Sequence, residues 1–293
     1  MKTLTNKAIP FKITKSANDA LLVQVDEGPY FYDQLHYHPE IQITAIVKGE
    51  GVIYAGNSMT SFAHNSVILI GSCVPHLFRN ASPSIEEDTG CRLISLFFDQ
   101  DSFGDRFFGV TEMSGIKGLL ENSNRGIIIT GSDGEEIHDI ICSSVDHSGE
   151  DLIITMLQVL SKIRVADKQY INTELYQLKL NENEGGRLSD VLYYTFEHYA
   201  KELKIEQIAQ IANLSRSQFS TFFKLHTNKT YIQFLNEVRI ENACRLLKEP
   251  RYTVEQAAYE VGFKNMSNFA RQFRKVKGST ASAYRKQWTQ VLK

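Results

Sequence analysis

The 293-residue sequence has no apolar run approaching the roughly 18 residues that a membrane-spanning helix needs. Its first residues, MKTLTNKAIPF, also lack the continuous apolar stretch of a secretory signal. Both absences predict a soluble chain with a cytoplasmic address and no membrane partner. Cysteine is sparse and scattered: Cys73, Cys91, Cys142 and Cys244 form no CxxC pair, which argues against a cysteine-built zinc site or a thioredoxin-like motif and predicts reduced thiols. Net charge of one sign is nearly absent as well, at −2. Hydrophobic content of 42% with 23% charged residues excludes disordered and fibrous classes, and the length predicts two domains.

The near-zero total conceals a division. From Arg187 to the end there are 18 basic and 9 acidic residues, whereas the remainder holds 14 basic and 25 acidic. A basic C-terminal module behind an acidic N-terminal one is the balance expected of a polyanion binder with a separate regulatory domain.

The first hundred residues read as short strands punctuated by turns. EIQITAIVKGEGVIYAG, SVILIGSCVPHLF and CRLISLFF are apolar or alternating runs of strand length, closely spaced as in a sandwich or barrel. From Asp101 the periodicity becomes helical, and Ile153, Ile154, Leu157, Leu160 and Ile163 fall on one stripe that serves either core packing or a dimer interface. LNENEGGRLSD is polar, and its Gly185-Gly186 pair can break a helix, so it is the expected linker.

The last hundred residues contain a repeat. Ile205-Glu206-Gln207-Ile208-Ala209 recurs as Val254-Glu255-Gln256-Ala257-Ala258 at an offset of 49, and Phe219, Phe223 and Lys224 recur as Phe269, Phe273 and Arg274 at an offset of 50. The one-residue change falls in a turn, where insertion is tolerated. Each copy reads as two short helices joined tightly, with Asn213 and then Gly262 at the left-handed cap, and Ser215 and then Asn265 starting the next helix. Phenylalanines four apart mark a buried face. The opposite faces carry Ser217, Ser220, Thr221 and Lys224, then Ser267, Ala270, Arg271, Arg274 and Lys275. Hydroxyls, a guanidinium and a methyl are the groups that read base edges in a major groove, and the cations neutralise phosphates. Between the copies, YIQFLNEVRIENACRLLKE reads as a helix with Leu235, Val238, Ala243, Leu246 and Leu247 on its apolar side, a rod that sets the spacing of the two units on a duplex.

From about Arg187 to Trp288, and most clearly in AAYEVGFKNMSNFARQFRKVKG and AYRKQW, the sequence resembles the DNA-binding domain of the AraC/XylS family of bacterial transcription regulators. The resemblance implies that the third and sixth helices of the domain contact DNA. Base-edge duty then falls on Ser217, Ser220, Thr221, Ser267, Ala270 and Arg271. One departure stands out: Thr280-Ala281 replaces the family's Thr-Pro before Tyr284-Arg285, which predicts a less rigid start to the last helix.

HYHPEIQITAIVKGEG with VILIGSCVPHLFRN resembles the two halves of a cupin barrel motif of the kind found in AraC-type sensor domains. His36, His38, Glu40 and Gln42 share strand parity, with His76 arriving from a later strand. The resemblance is incomplete, because Gln42 stands where cupin metal sites place Glu and the second motif lacks its Pro-x-Gly element. A bound metal, a metal-free effector pocket and purely structural histidines all remain open, and the pocket without metal or cofactor is the expectation. The fold class expected is α+β in two domains: a cupin-like sensor barrel over 1–100 with a helical appendix over 101–180, a linker at 181–187 and a double helix-turn-helix domain over 188–293. The function expected is a homodimeric, non-enzymatic regulator that binds double-stranded DNA under control of a small-molecule effector, sugars being common among relatives, with RNA polymerase as a further partner. The alternative is a metal-dependent cupin enzyme fused to a DNA-binding domain.

Overall fold

The computed structural model describes residues 9–10, 13, 19–80, 90–104, 106–176 and 182–291. It separates into two compact units, one formed by Ala8–Lys179 and the other containing Leu180–Lys293.

In the N-terminal unit the strands are β1 (Ile9–Pro10), β2 (Leu21–Gly28), β3 (His36–Tyr37), β4 (Ile41–Lys48), β5 (Gly51–Ala55), β6 (Ser58–Phe62), β7 (Val67–Ile70), β8 (His76–Asn80), β9 (Cys91–Phe98), β10 (Ile127–Ile129) and β11 (Gln169–Tyr170). They form two sheets, ordered β1-β3-β8-β5-β6 and β11-β10-β7-β4-β9-β2, antiparallel throughout except for the β1–β3 pair. The helices α1 (Ser114–Asn122), α2 (Gly131–Ser143) and α3 (Gly149–Val165) belong to the same unit.

Strand β4 shows how the layers are made. Ile41, Ile43 and Ala45 pack with Leu119, Ile137, Val159 and Leu160 of the helices, while Ile46, in even register with Gln42 and Thr44, packs with Ile53, Phe62 and Phe78 of the other sheet. With period-2 alternation, a strand covered on both faces has no solvent side, and β4 is buried from Ile41 to Ile46. Gln42 and Thr44 therefore carry polar groups between the sheets.

Two expectations about organisation need correction. The block 101–180 is more than a helical appendix, because Ile127–Ile129 pairs with Val67–Leu69 and extends the six-stranded sheet. A run of three isoleucines has too little length to show alternation, so the strand was not legible. Leu160 and Ile163 of the α3 stripe are core, whereas Ile154 is 51% exposed. The expected linker at 181–187 is largely helix: α4 spans Glu182–His198 and contains both Gly185 and Gly186, which are buried. Burial of Leu188, Val191, Leu192 and Phe196 along the same helix outweighs the roughly 1 kcal/mol propensity cost of each glycine.

The C-terminal unit continues with α5 (Ile205–Ile211), α6 (Arg216–Thr227), α7 (Tyr231–Lys248), α8 (Val254–Glu260), α9 (Met266–Lys277) and α10 (Ala281–Val291). Leu235, Val238, Ala243, Leu246 and Leu247 of α7 are all buried. Ala243, Leu246 and Leu247 share one core with Ala257, Ala258, Phe269 and Phe273 of the second repeat. No helix among the described residues is long and apolar enough to cross a membrane.

Candidate functional site

The two repeats fold as the sequence pattern requires. Asn213 and Gly262 both take left-handed backbone, with φ of 53° and 91°. In the first turn Leu214 N–H donates to Ala209 O at 2.9 Å, and in the second Phe263 N–H donates to Ala258 O at 3.0 Å. Gly262 has a second reason to be glycine, since a Cβ there would lie 2.5 Å from Ala200 O. Ser215 accepts from Gln218 N–H at 3.3 Å, and Asn265 accepts from Asn268 N–H at 3.0 Å, so both second helices start on a side-chain cap. The same device opens α10, where Thr280 Oγ1 accepts from Ala283 N–H at 3.2 Å without the help of a proline.

Phe219, Phe223, Phe269 and Phe273 are each 0% exposed. Opposite them, Ser217, Ser220, Thr221 and Lys224 on α6, and Ser267, Ala270, Arg271, Arg274 and Lys275 on α9, are all exposed. Three of these side chains are already held, Ser217 by its Oγ at 3.3 Å from Ser215 Oγ. Ser220 Oγ donates to Arg216 O at 2.9 Å, and Arg271 Nη2 donates to Asn268 Oδ1 at 3.0 Å. Sequence reasoning passed over Arg216, an exposed cation in the first turn of α6 that pairs with Glu206 at 2.9 Å. Its position just before the hydroxyl face was the available signal.

In the N-terminal unit, His36 and His76 face each other across the β3–β8 pair with ring centroids 4.2 Å apart. His38 follows in the segment between β3 and β4, with its ring 5.1 Å from His76 and 6.0 Å from His36. Strand parity put four residues on one face of one strand; instead the chain passes between the sheets here, so His36 comes from one sheet and Gln42 from the other. All three rings are oriented by main-chain carbonyls: Nδ1 of His36, His38 and His76 lies 2.9, 3.0 and 2.8 Å from the oxygens of Gln34, Glu40 and Val74. Burial is the main cause that lowers all three imidazoles below the usual histidine range, His36 to about 4, so they are neutral.

Glu40 is buried but stands behind the cluster, its carboxylate 3.7 Å from Nδ1 of His38. Gln42 Oε1 lies 3.2 Å from Nε2 of His38, and its amide nitrogen donates to Thr44 Oγ1 at 2.8 Å, with Ser95 Oγ a further 2.8 Å from Thr44. His36 and Gln42 also line a cavity of about 350 Å³ whose walls include Asp26, Glu27, Tyr30 and Tyr32. His38 and His76 are set back from it.

Two helix-turn-helix units on one helical core define a DNA-binding class of domain. Residues 208–287 match the helix-turn-helix domain family. The chain is 22% identical over 263 residues to the uncharacterized HTH-type transcriptional regulator YdeC of Bacillus subtilis, covering 87% of each. It is 37% identical over 103 residues to the MmsAB operon regulatory protein of Pseudomonas aeruginosa, covering 35% of this chain and 34% of that one, so it spans about a third of that relative's length. Among solved structures, the DNA-binding domain of AdpA in complex with a target DNA is 30% identical, covering 36% of this chain and 94% of that one at a TM-score of 0.34. Residues 208–287 are thus an AraC-type helix-turn-helix domain, and these curated relatives are transcriptional regulators.

Proposed function

We propose that this regulator reads a specific double-stranded DNA site with α6 and α9 together, under control of a small molecule held in the N-terminal unit. The observation that carries the reading is the repeated face: twice, hydroxyl and cationic side chains stand exposed directly opposite a pair of fully buried phenylalanines. A buried face that fixes the helix leaves the opposite one free to enter a groove. α7, with 18 residues at about 1.5 Å each, is a rod of roughly 27 Å between the units, of the order of one duplex turn.

Arg271 is the side chain assigned to a guanine, because a guanidinium pairs bidentately with the two major-groove acceptors of that base. The cavity beside His36 and Gln42 is the effector site in this reading. Its acidic and tyrosine-bearing walls suit a neutral, hydroxyl-rich ligand such as a sugar better than an anion. Control requires that the ligand bind two states of the protein with different affinity, in a homodimer paired through the exposed part of α3. Selection of sites from a randomised DNA pool by the full chain tests the reading. Arg271→Ala is expected to lose preference at one base pair, worth about 1–3 kcal/mol there, and to keep the rest of the site; a selected site identical to that of the wild type removes the assignment.

A further inference from the structure

At the start of its second helix the first unit has a cation where the second has none. Arg216 opens α6, and the matching residue at the start of α9 is Met266. Helix stability does not call for a cation there, because the positive end of the helix dipole disfavours it. What holds the guanidinium is Glu206 of α5, 2.9 Å away, in a pair whose side chains are 69% and 54% exposed. Pairs this open to water are weak, so the arginine can exchange partners at little cost.

Its place on α6 identifies the new partner. Arg216, Ser220 and Lys224 follow one another at steps of four, all exposed, and Ser220 Oγ donates to Arg216 O. The two cations therefore lie about 12 Å apart along the axis, with Ser217, Ser220 and Thr221 between them. A major groove is also about 12 Å wide. When a helix-turn-helix docks, its second helix enters that groove and its first crosses the sugar-phosphate backbone; the Glu206–Arg216 pair joins those two helices. A backbone phosphate repels the carboxylate, whereas a guanidinium pairs with phosphate oxygens through parallel N–H donors.

We propose, resting on the reading of α6 as a DNA-contacting helix, that Arg216 anchors the first unit to a DNA phosphate and gives up Glu206 for it on binding. Arg216 is a positioning residue in this role: it sets the register in which Ser217, Ser220 and Thr221 meet bases and reads no base itself.

The test measures the affinity of the full chain for its selected duplex and for an unrelated duplex of equal length, between about 50 and about 200 mM salt. Arg216→Gln should weaken both by the same factor and leave the selected sequence as it was. One lost phosphate contact lowers the slope of log affinity against log salt by about 0.9, so the deficit should shrink about 3.5-fold across that range. Arg216→Lys keeps the charge and should keep the slope. Lys117→Gln, at an exposed lysine of α1, should match the wild type. Glu206→Gln should tighten binding about 1.4–5-fold, the strength of an exposed ion pair, and the gain should vanish once Arg216→Gln is added. A wild-type slope in Arg216→Gln, or a changed preference at one base pair, overturns the anchor. A gain from Glu206→Gln that survives without Arg216 overturns the exchange. The wild type alone tests the underlying reading: affinity indifferent to salt removes DNA contact by α6, whereas a salt-dependent wild type beside a silent Arg216→Gln removes this proposal only.

Discussion

The two helix-turn-helix units share an interior and differ outside. Within α6 the rings of Phe219 and Phe223 lie 5.6 Å apart, and within α9 those of Phe269 and Phe273 lie 5.5 Å apart, all four fully buried. The exposed face of α6 is mostly hydroxyl with one lysine, while that of α9 carries Arg271, Arg274 and Lys275. The two units have thus kept the part that makes them fold and differ on the face that the proposed reading assigns to DNA. Under that reading the second unit suits charged and bidentate contacts, the first shorter and more tolerant ones.

The sharpest way to break this comparison is to remove the shared interior. Phe219→Ala and Phe269→Ala should each cost about 3–5 kcal/mol, because each empties a site with no solvent access. Urea unfolding of the full chain, followed by helical circular dichroism, should place the two losses close together. A cheap Phe219→Ala beside a costly Phe269→Ala would show that the first unit is only loosely cored and that the equivalence fails.

Next in size is an ion pair at a helix position where the two units differ. Lys277, near the end of α9, donates to Glu241 of α7 at 2.6 Å, with the Glu241 side chain only 3% exposed. The matching position on α6 is Thr227, whose hydroxyl donates to Phe223 O of its own helix at 2.6 Å. Glu241→Ala strands a largely buried ammonium, and roughly 2–4 kcal/mol of destabilisation is expected, below the full cost of a sealed pair because Lys277 keeps some solvent access. Glu241→Ala combined with Lys277→Met should recover much of that loss. A single variant as stable as the wild type would mean that the pair does not hold α9 in place.

How much of this was legible in the sequence follows from the range of the forces. The C-terminal turns and caps, at Asn213, Ser215, Gly262 and Asn265, depend on residues two to five apart, so the repeat could be read directly. Packing across the core is longer in range. It placed Gly185 and Gly186 inside a helix against their propensity and made a strand of Ile127–Ile129. Parity grouped His36 and His38 with Gln42 but could not show that His36 and Gln42 belong to different sheets. Nothing in the spacing of His36, His38 and His76 foretold that Gln34, Glu40 and Val74 would aim carbonyls at their Nδ1 atoms, because that depends on local backbone direction. Glu40, grouped with them by number, stands behind His38 for the same reason.

The smallest expected effect separates folding from recognition at the start of each second helix. Gln218 closes a reciprocal cap on α6: its N–H donates to Ser215 Oγ, and its Oε1 accepts from Ser215 N–H at 3.0 Å. Asn268 holds the same place on α9 and is one methylene shorter. Its N–H still donates to Asn265, but its side-chain oxygen accepts from Arg271 Nη2 at 3.0 Å instead. Gln218→Ala should therefore cost the first unit about 0.5–1 kcal/mol of stability, at the lower end of cap effects, because Ser215 continues to cap. Asn268→Ala should cost less in unfolding and more in recognition, since Arg271 loses the partner that narrows its rotamers before it meets a base. Unfolding and site selection on the same two variants read both consequences. Equal behaviour of the pair would mean that the shorter side chain on α9 has no part in presenting Arg271.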